Sequence, residues 1–160
     1  MSDPNILLTR IDNRLIHGQV GITWTKTLGA NLIIVADDAA STDTLAQELM
    51  AMTAESSGAG VRFFTLQRTI DIIGKAAPHQ KIFIVVQTPA SARVLVEAGV
   101  PIKQINVGNM HFSEGKHALS KKVYVDAQDV EDLNALIKSG VEVYIQDVPG
   151  DSKEVLKEVK

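Results

Sequence analysis

The feature that most constrains the fold is a series of short apolar runs, rich in valine and isoleucine, spread along the whole chain. Runs of this length without polar alternation indicate strands that are covered on both faces, as in a parallel sheet. The predicted strands are residues 6–11, 32–36, 61–65, 82–86, 105–107, 123–125 and 141–145.

Segments with a helical period lie between the predicted strands. One begins near Asp43 and is expected to carry its apolar residues on one side. The apolar positions of this helix are Leu45, Leu49, Met50 and Met52. Two later helices show the same spacing, at Val94, Leu95 and Ala98 and at Val130, Leu133, Leu136 and Ile137.

Residues that begin and end helices support this pattern. Thr88 and Pro89 are typical of an N-cap followed by the first helical position. Gly99 and Gly140 stand where helices are expected to end in a left-handed conformation. Near the C-terminus, the spacing of Asp151 and Glu154 resembles a capping box, which predicts a short final helix.

Strand and helix alternate almost throughout, which predicts one α/β domain over residues 1–160. Its central sheet should be doubly wound and mostly parallel, with helices on both faces. Residues 109–120 are expected to form a long polar loop, and such loops are often functional. A ligand site in this architecture lies outside the carboxyl ends of the strands, which selects the loops after Ile11, Ala36, Val86 and Val107.

The composition excludes several classes of protein. The chain has no cysteine, so disulfide scaffolds, thiolate zinc sites and thiol catalysis are ruled out. Its net charge of −3 carries no basic excess of the kind that nucleic-acid binders show. No apolar run is long enough to insert into a membrane, and the N-terminus does not resemble a signal peptide. The four histidines show no metal-ligand spacing, so no metal is predicted.

The loop after the first predicted strand gathers the residues best suited to chemistry. Arg10, Asp12 and Arg14 precede His17 and Gly18, and a helix opens at about Val20. A histidine ring nitrogen can attack a phosphoryl group, and an arginine fork can hold the phosphate oxygens. A helix N-terminus favours the same anion. An alternative from the residues alone is an ordinary surface histidine beside arginines that pair with Asp12.

Residues 10–20, followed by Thr23 and Trp24, resemble the active-site signature of the IIB components of the mannose–fructose–sorbose family of the bacterial sugar phosphotransferase system. The family pattern is Arg-Ile-Asp, an acidic or polar residue, then Arg-Leu-Ile-His-Gly-Gln-Val and a tryptophan. The resemblance extends over essentially the whole chain, including residues 30–37 and 106–111. Residues 62–65, 109–112 and 146–150 are most similar to the subgroup specific for N-acetylgalactosamine or galactosamine.

The resemblance implies a phosphoryl relay without a bound cofactor. His17 is expected to accept the group from a phosphorylated IIA protein or domain, through the ring nitrogen nearer the backbone, Nδ1. It would then pass the group to the 6-hydroxyl of a sugar held by the membrane subunits IIC and IID. Arg14 is the expected clamp for the phosphoryl oxygens, with Arg10 and Asp12 in support. Asn13 stands where a family variant has a second aspartate, and no catalytic role is assigned to it.

Five further residues are candidates for shaping the phosphate site. Gly18 and Gln19 follow the histidine directly, and a glycine there allows the backbone to approach the phosphate closely. Thr88 offers a hydroxyl, although N-capping explains it fully. Gly108 and His111 follow the fifth predicted strand and are expected to face the same crevice, with loop packing as the alternative for His111.

The implied protein is a cytoplasmic component that reaches the membrane only through IIC and IID. Two other functions fit the same residues. A binding module would hold a phosphorylated small ligand in the crevice and never carry a covalent phosphoryl group. A regulatory protein would be phosphorylated on His17 and pass nothing on.

Overall fold

The computed structural model describes residues 3–160. In chain order the elements are β1 (Asn5–Asp12), α1 (Gly18–Leu28), β2 (Leu32–Ala36), α2 (Thr44–Glu55), β3 (Gly60–Phe64), α3 (Leu66–Ile72), β4 (Lys81–Val86), α4 (Pro89–Glu97), β5 (Gln104–Asn109), β6 (His117–Ser120), β7 (Val123–Val125), α5 (Ala127–Lys138), β8 (Glu142–Ile145) and β9 (Glu154–Leu156). Two short 3₁₀ turns lie at Ala40–Thr42, between β2 and α2, and at Ile73–Lys75, after α3.

Seven strands form one sheet in the order β3-β2-β4-β1-β5-β8-β9. Every neighbouring pair is parallel except β8 and β9. The adjacent strands β1 and β4 lead into helices on opposite faces, so their carboxyl ends border a crevice of the kind that binds ligands in doubly wound sheets. The prediction of a doubly wound, mostly parallel sheet is confirmed.

Strand β4 shows why the predicted strands are apolar throughout. Ile82, Ile84 and Val86 belong to the core cluster that includes residues of α4 and α5. Phe83 and Val85 alternate with them and pack in a second cluster with residues of α1 and α2. Each side chain of this size gains about 1.5–3 kcal/mol from burial. Helices on both faces of the sheet are thereby confirmed.

The residues predicted to delimit α4 and to end α5 do so. The Thr88 side chain accepts a hydrogen bond from the Ser91 N–H at 3.2 Å, and Pro89 is the first residue of α4. Gly99 and Gly140 follow α4 and α5 with φ angles of 93° and 95°, a region that favours glycine.

The prediction for α2 is wrong about which residues share a side. Leu45, Leu49 and Met52 are 67%, 58% and 70% exposed, whereas Met50 is buried against the sheet. Each residue turns a helix by about 100°, which places Met50 well away from the stripe formed by the other three. Ala54, one turn after Met50, completes the buried side of α2.

The predicted final helix is also wrong. Glu154–Leu156 forms β9 and pairs antiparallel with β8, in the register Val143↔Leu156 and Ile145↔Glu154. A helix in so short a segment gains little from its own hydrogen bonds. Backbone pairing with the edge of the sheet therefore decides its conformation.

The predicted loop over residues 109–120 contains additional structure. Its last four residues form β6, and β7 pairs with it antiparallel in a separate two-stranded sheet. The strand predicted at residues 123–125 therefore exists but lies outside the central sheet. Its apolar character comes from Val123 and Val125, which are buried in the main core.

No helix within residues 3–160 combines the length and apolar character that crossing a bilayer requires.

Candidate active site

The candidate site lies at the carboxyl end of β1, one of the two central strands of the parallel region. β1 ends at Asp12 and α1 begins at Gly18, so residues 13–17 form the connecting loop. The neighbouring ends of β4 and β5 flank this loop, because β1 pairs with both strands. Long-range pairing thus surrounds the predicted motif with residues from other parts of the chain.

Arg10 is the buried base of the site, with only 3% of its surface exposed. Its guanidinium donates to Asn106 Oδ1 at 2.5 Å and to Asp12 Oδ2 at 3.2 Å. It also donates to the backbone oxygens of Gln146 and Asp147 at 3.2 and 3.0 Å. A buried charge needs such partners, because leaving water without them is costly. Arg10 therefore ties β1 to β5 and to the segment after β8.

Asp12 joins Arg10 to Arg14. Its Oδ1 accepts from the Arg14 backbone N–H at 2.9 Å and from Arg14 Nε at 3.2 Å. Its Oδ2 accepts from Arg14 Nη2 at 3.3 Å as well as from Arg10. One buried carboxylate therefore holds the partly exposed side chain of Arg14 in place and is itself held by Arg10.

The negative charge of Asp12 lies between the positive charges of Arg10 and Arg14. Burial lowers the pKa of the Arg10 guanidinium, and the charge and hydrogen bond of Asp12 oppose that change. Arginine nevertheless stays protonated in proteins. The Asp12 carboxylate therefore neutralises Arg10 within the core, while Arg14, with 26% of its side chain exposed, retains a face toward solvent.

Gly108 lies against Arg10 rather than against the histidine loop. A Cβ atom built on Gly108 would overlap the Arg10 guanidinium. Gly108 was expected to shape the phosphate site, and the structure places it instead where a side chain would displace Arg10. Its effect on the site is therefore indirect.

We expect Gly108→Ala to lower the free energy of unfolding by about 2 kcal/mol, because Arg10 must leave its buried partners to admit the methyl group. Urea denaturation measures this change. Gly74→Ala is the matched control, since nothing lies within 4 Å of a Cβ there. Equal stability of the two variants would contradict the packing of Arg10 on Gly108.

The loop from Asn13 to His17 has an unusual backbone. Leu15 has a φ of 61°, which is rare for a residue with a side chain, and Gly18 has a φ of 51°. The Leu15 N–H donates to the Asp12 backbone oxygen at 2.9 Å, which closes a tight turn. This turn sets the direction in which the chain enters α1.

His17 occupies the N-cap position of α1 with an exposed side chain. Its ring does not cap the helix, so the free N–H groups of the first turn are not satisfied by it. Those N–H groups, together with the helix dipole, favour an anion near His17. Gln19 is exposed in the same turn, and the first turn contains no acidic residue.

His17 and Arg14 line one open cavity of about 370 Å³. Further polar groups on its wall come from Asn13, Asp37, Asp43 and Gln87. The apolar part of the wall comes from Leu15, Ile16, Ala39, Ala40, Ala46, Leu49 and Met50. A phosphate-sized group fits easily beside the imidazole in such a cavity, within the field of Arg14.

The remaining predicted site residues lie at the edge of this arrangement. The Thr88 hydroxyl is engaged in capping α4 and also donates to Ser91 Oγ at 3.2 Å. His111 is exposed, and its backbone N–H donates to Asn13 Oδ1. The His111 backbone therefore meets the loop, whereas neither residue lines the His17 cavity.

Sequence reasoning did not select the residues that support Arg10. Asn106 is fully buried and donates to the Gln146 backbone oxygen at 2.9 Å while it accepts from Arg10. Trp24 is also buried, and its ring centroid lies 5.4 Å from the Arg10 guanidinium. Its Nε1 donates to the Asp147 backbone oxygen at 2.9 Å. One feature of the sequence could have identified Asn106, because it is a polar residue inside an otherwise apolar predicted strand.

Across residues 3–160, no three His, Asp or Glu side chains are grouped closely enough to form a metal site.

Comparisons with known proteins agree on the family. The family model for the sorbose-subfamily IIB component of the phosphotransferase system matches residues 6–159. The chain is 62% identical over 154 residues to the N-acetylgalactosamine-specific phosphotransferase enzyme IIB component 1 of Escherichia coli, covering 96% of this chain and 98% of that protein.

Solved structures give the same result. The crystal structure of the E. coli N-acetylgalactosamine-specific IIB component 1 superposes with a TM-score of 0.93 at 62% identity, covering 95% of this chain and 99% of that one. An N-acetylgalactosamine IIB component from Streptococcus pyogenes gives 0.90 at 42% identity, with coverage of 98% and 97%. The chain belongs to the sorbose-subfamily IIB components of the phosphotransferase system, a family of phosphotransferases.

Proposed function

We propose that this chain is the phosphocarrier of a sugar phosphotransferase system, with His17 as the transient phosphohistidine. It accepts the group from a phosphorylated IIA protein or domain and passes it to the 6-hydroxyl of N-acetylgalactosamine or galactosamine. The sugar identity rests on relatives specific for N-acetylgalactosamine. One observation supports the chemistry above all: an exposed histidine at a helix N-terminus shares its cavity with an arginine anchored on a buried carboxylate.

The first step forms one bond and breaks one. A lone pair on a ring nitrogen of neutral His17 attacks phosphorus as the P–N bond to the donor histidine breaks and its electron pair returns to that imidazole. In the second step the sugar 6-hydroxyl oxygen attacks phosphorus, the P–N bond to His17 breaks with its electron pair returning to the imidazole, and the hydroxyl proton passes to water. No cofactor takes part.

Few residues are needed to stabilise the negative charge on the phosphoryl group during transfer. Phosphoryl transfer passes through a loose transition state with negative charge on the equatorial oxygens. Arg14 supplies a guanidinium fork on the cavity wall, and the first turn of α1 supplies backbone N–H groups. Asp12 and Arg10 act as positioning residues, because they touch Arg14 and the core rather than the phosphoryl group.

The proposal places the protein in the cytoplasm, at the membrane only through the subunits IIC and IID. The exposed side chain of His17 supports this arrangement, since the histidine must meet a donor protein and a membrane complex in turn. The partners are therefore the IIA donor, IIC, IID and the sugar, with no nucleic acid and no direct membrane insertion.

The test is sugar phosphorylation in a reconstituted system. Phosphoenolpyruvate with a radiolabelled phosphoryl group, the general phosphotransferase proteins, IIA and membranes containing IIC and IID are combined with the protein and the sugar. We expect phosphorylation of N-acetylgalactosamine or galactosamine in preference to mannose, only when the protein is present. Labelled protein without sugar phosphate would support a regulatory role instead, and absence of label on the protein would support a binding module.

A further inference from the structure

Asn13, to which the sequence assigned no role, connects the ends of three strands. Its backbone N–H donates to the Asn109 oxygen at 3.1 Å, at the end of β5. Its side-chain Oδ1 accepts from the His111 N–H, and its Nδ2 donates to the Gln87 backbone oxygen at 3.1 Å, just after β4. Asn13 is the first residue after β1, so it fixes the start of the histidine loop to both neighbouring strands.

Gln87 completes a reciprocal pair with Asn13. Its Nε2 donates to the Asn13 backbone oxygen at 3.1 Å, so each side-chain amide donates to the other residue's backbone carbonyl. The regular pairing of β1 with β4 ends at Ile11 and Val86. The two amides therefore continue the connection between these strands beyond the point where the backbone ladder stops.

This pair holds a segment that needs external support. Between Asn13 and α1 the chain carries Leu15 at a positive φ, and such conformations persist only when their surroundings impose them. Asp12 holds Arg14 from the core side. The Asn13–Gln87 pair holds the same loop from the side of β4, and both of its residues line the cavity of His17.

We propose that Asn13 and Gln87 are positioning residues that set the distance and angle between Arg14 and His17. The inference rests on the proposed phosphoryl transfer and adds two residues to its machinery. Both act through the loop backbone and neither needs to touch the phosphoryl group. Removing the pair allows the loop to shift, and a misplacement of about 1 Å can slow a positioned reaction by as much as 10²-fold.

The side chain of Asn13 makes two contacts that a test variant has to remove. It donates to the Gln87 backbone oxygen and accepts from the His111 N–H. Asn13→Ala removes both contacts and adds no charge to the wall of the cavity.

The experiment measures the rate of phosphoryl transfer from phosphorylated IIA to the full-length protein, at varied donor concentration. We expect Gln87→Ala to lower the rate at saturating donor by about tenfold, with the donor KM unchanged within about twofold. Asn13→Ala should show the same pattern. Gln104→Ala is the matched control, because Gln104 also donates to a backbone oxygen, that of Leu7, but at the opposite end of the sheet.

Urea denaturation of each variant establishes that the protein assayed is folded. Transfer by Gln87→Ala and Asn13→Ala at the rate of wild type would overturn the positioning role while leaving the proposed function intact. A loss no greater than that of Gln104→Ala would show a merely structural contribution and overturn it too. If wild type itself accepts no group from phosphorylated IIA, the proposed function fails, and the inference with it.

Discussion

Replacing Arg14 with alanine should slow phosphoryl transfer to His17 by roughly 100- to 1,000-fold, the effect seen when one preorganised donor to a developing anion is removed. Arg14 lies in the cavity of His17, and two of its side-chain nitrogens are fixed by Asp12. Stability should change by about 1 kcal/mol or less, because the side chain is partly exposed and solvent screens its ion pair. Rapid-quench measurement with phosphorylated IIA tests the rate.

Two further variants make this result specific. Arg14→Lys retains the charge but loses the planar fork, so it should recover only part of the rate. Arg68→Ala removes an exposed arginine on α3 that is not part of the His17 cavity and should transfer as wild type does. Transfer by Arg14→Ala within about threefold of wild type would exclude Arg14 as the phosphate clamp.

Asp12→Asn should lower the free energy of unfolding by about 3–5 kcal/mol, the usual cost of removing one partner from a buried ion pair. The side chains of Arg10 and Asp12 are 3% and 2% exposed, so water cannot replace the lost charge. Arg10 keeps Asn106 and two backbone oxygens, which places the expected loss at the lower end of that range. Urea denaturation measures it.

The control for this variant is Asp38→Asn. Asp38 is exposed, and its Oδ1 accepts from the Leu66 N–H, a bond that asparagine can also accept. The free energy of unfolding of Asp38→Asn should differ from that of wild type by about 0.5 kcal/mol or less. If Asp12→Asn were as stable as this control, Asp12 would not be neutralising a buried arginine, and the support for Arg14 would need another explanation.

The fold was predictable where local pattern and tertiary structure agree. Continuous apolar runs such as residues 82–86 indicate strands buried on two faces, and β4 has that environment. The errors occur where tertiary pairing decides. Glu154 satisfies a capping pattern, yet its segment forms a strand that pairs with β8. No local pattern in the sequence shows that β8 has an unpaired edge available for this strand.

The candidate site was predictable only in its local part. Arg10 and Asp12 at the end of β1 are followed closely by Arg14 and His17 in the next loop, and their chemistry is visible from their spacing. Asn106 and Gln87 lie 96 residues from Arg10 and 74 residues from Asn13, respectively, and reach them only through the order and register of the parallel strands. The sequence alone does not give this register, so it does not show which distant side-chain amides reach the loop.

The central claim is that His17 carries the phosphoryl group, and locating the label on the protein tests it most directly. Wild type and His17→Ala are each incubated with phosphoenolpyruvate that carries a radiolabelled phosphoryl group. The general phosphotransferase proteins and a IIA shown to be phosphorylated are also present. We expect acid-labile, base-stable label on wild type alone, on a peptide that contains His17. Label that persists on His17→Ala would contradict the claim and direct attention to His111, and an unlabelled wild type would contradict the relay itself.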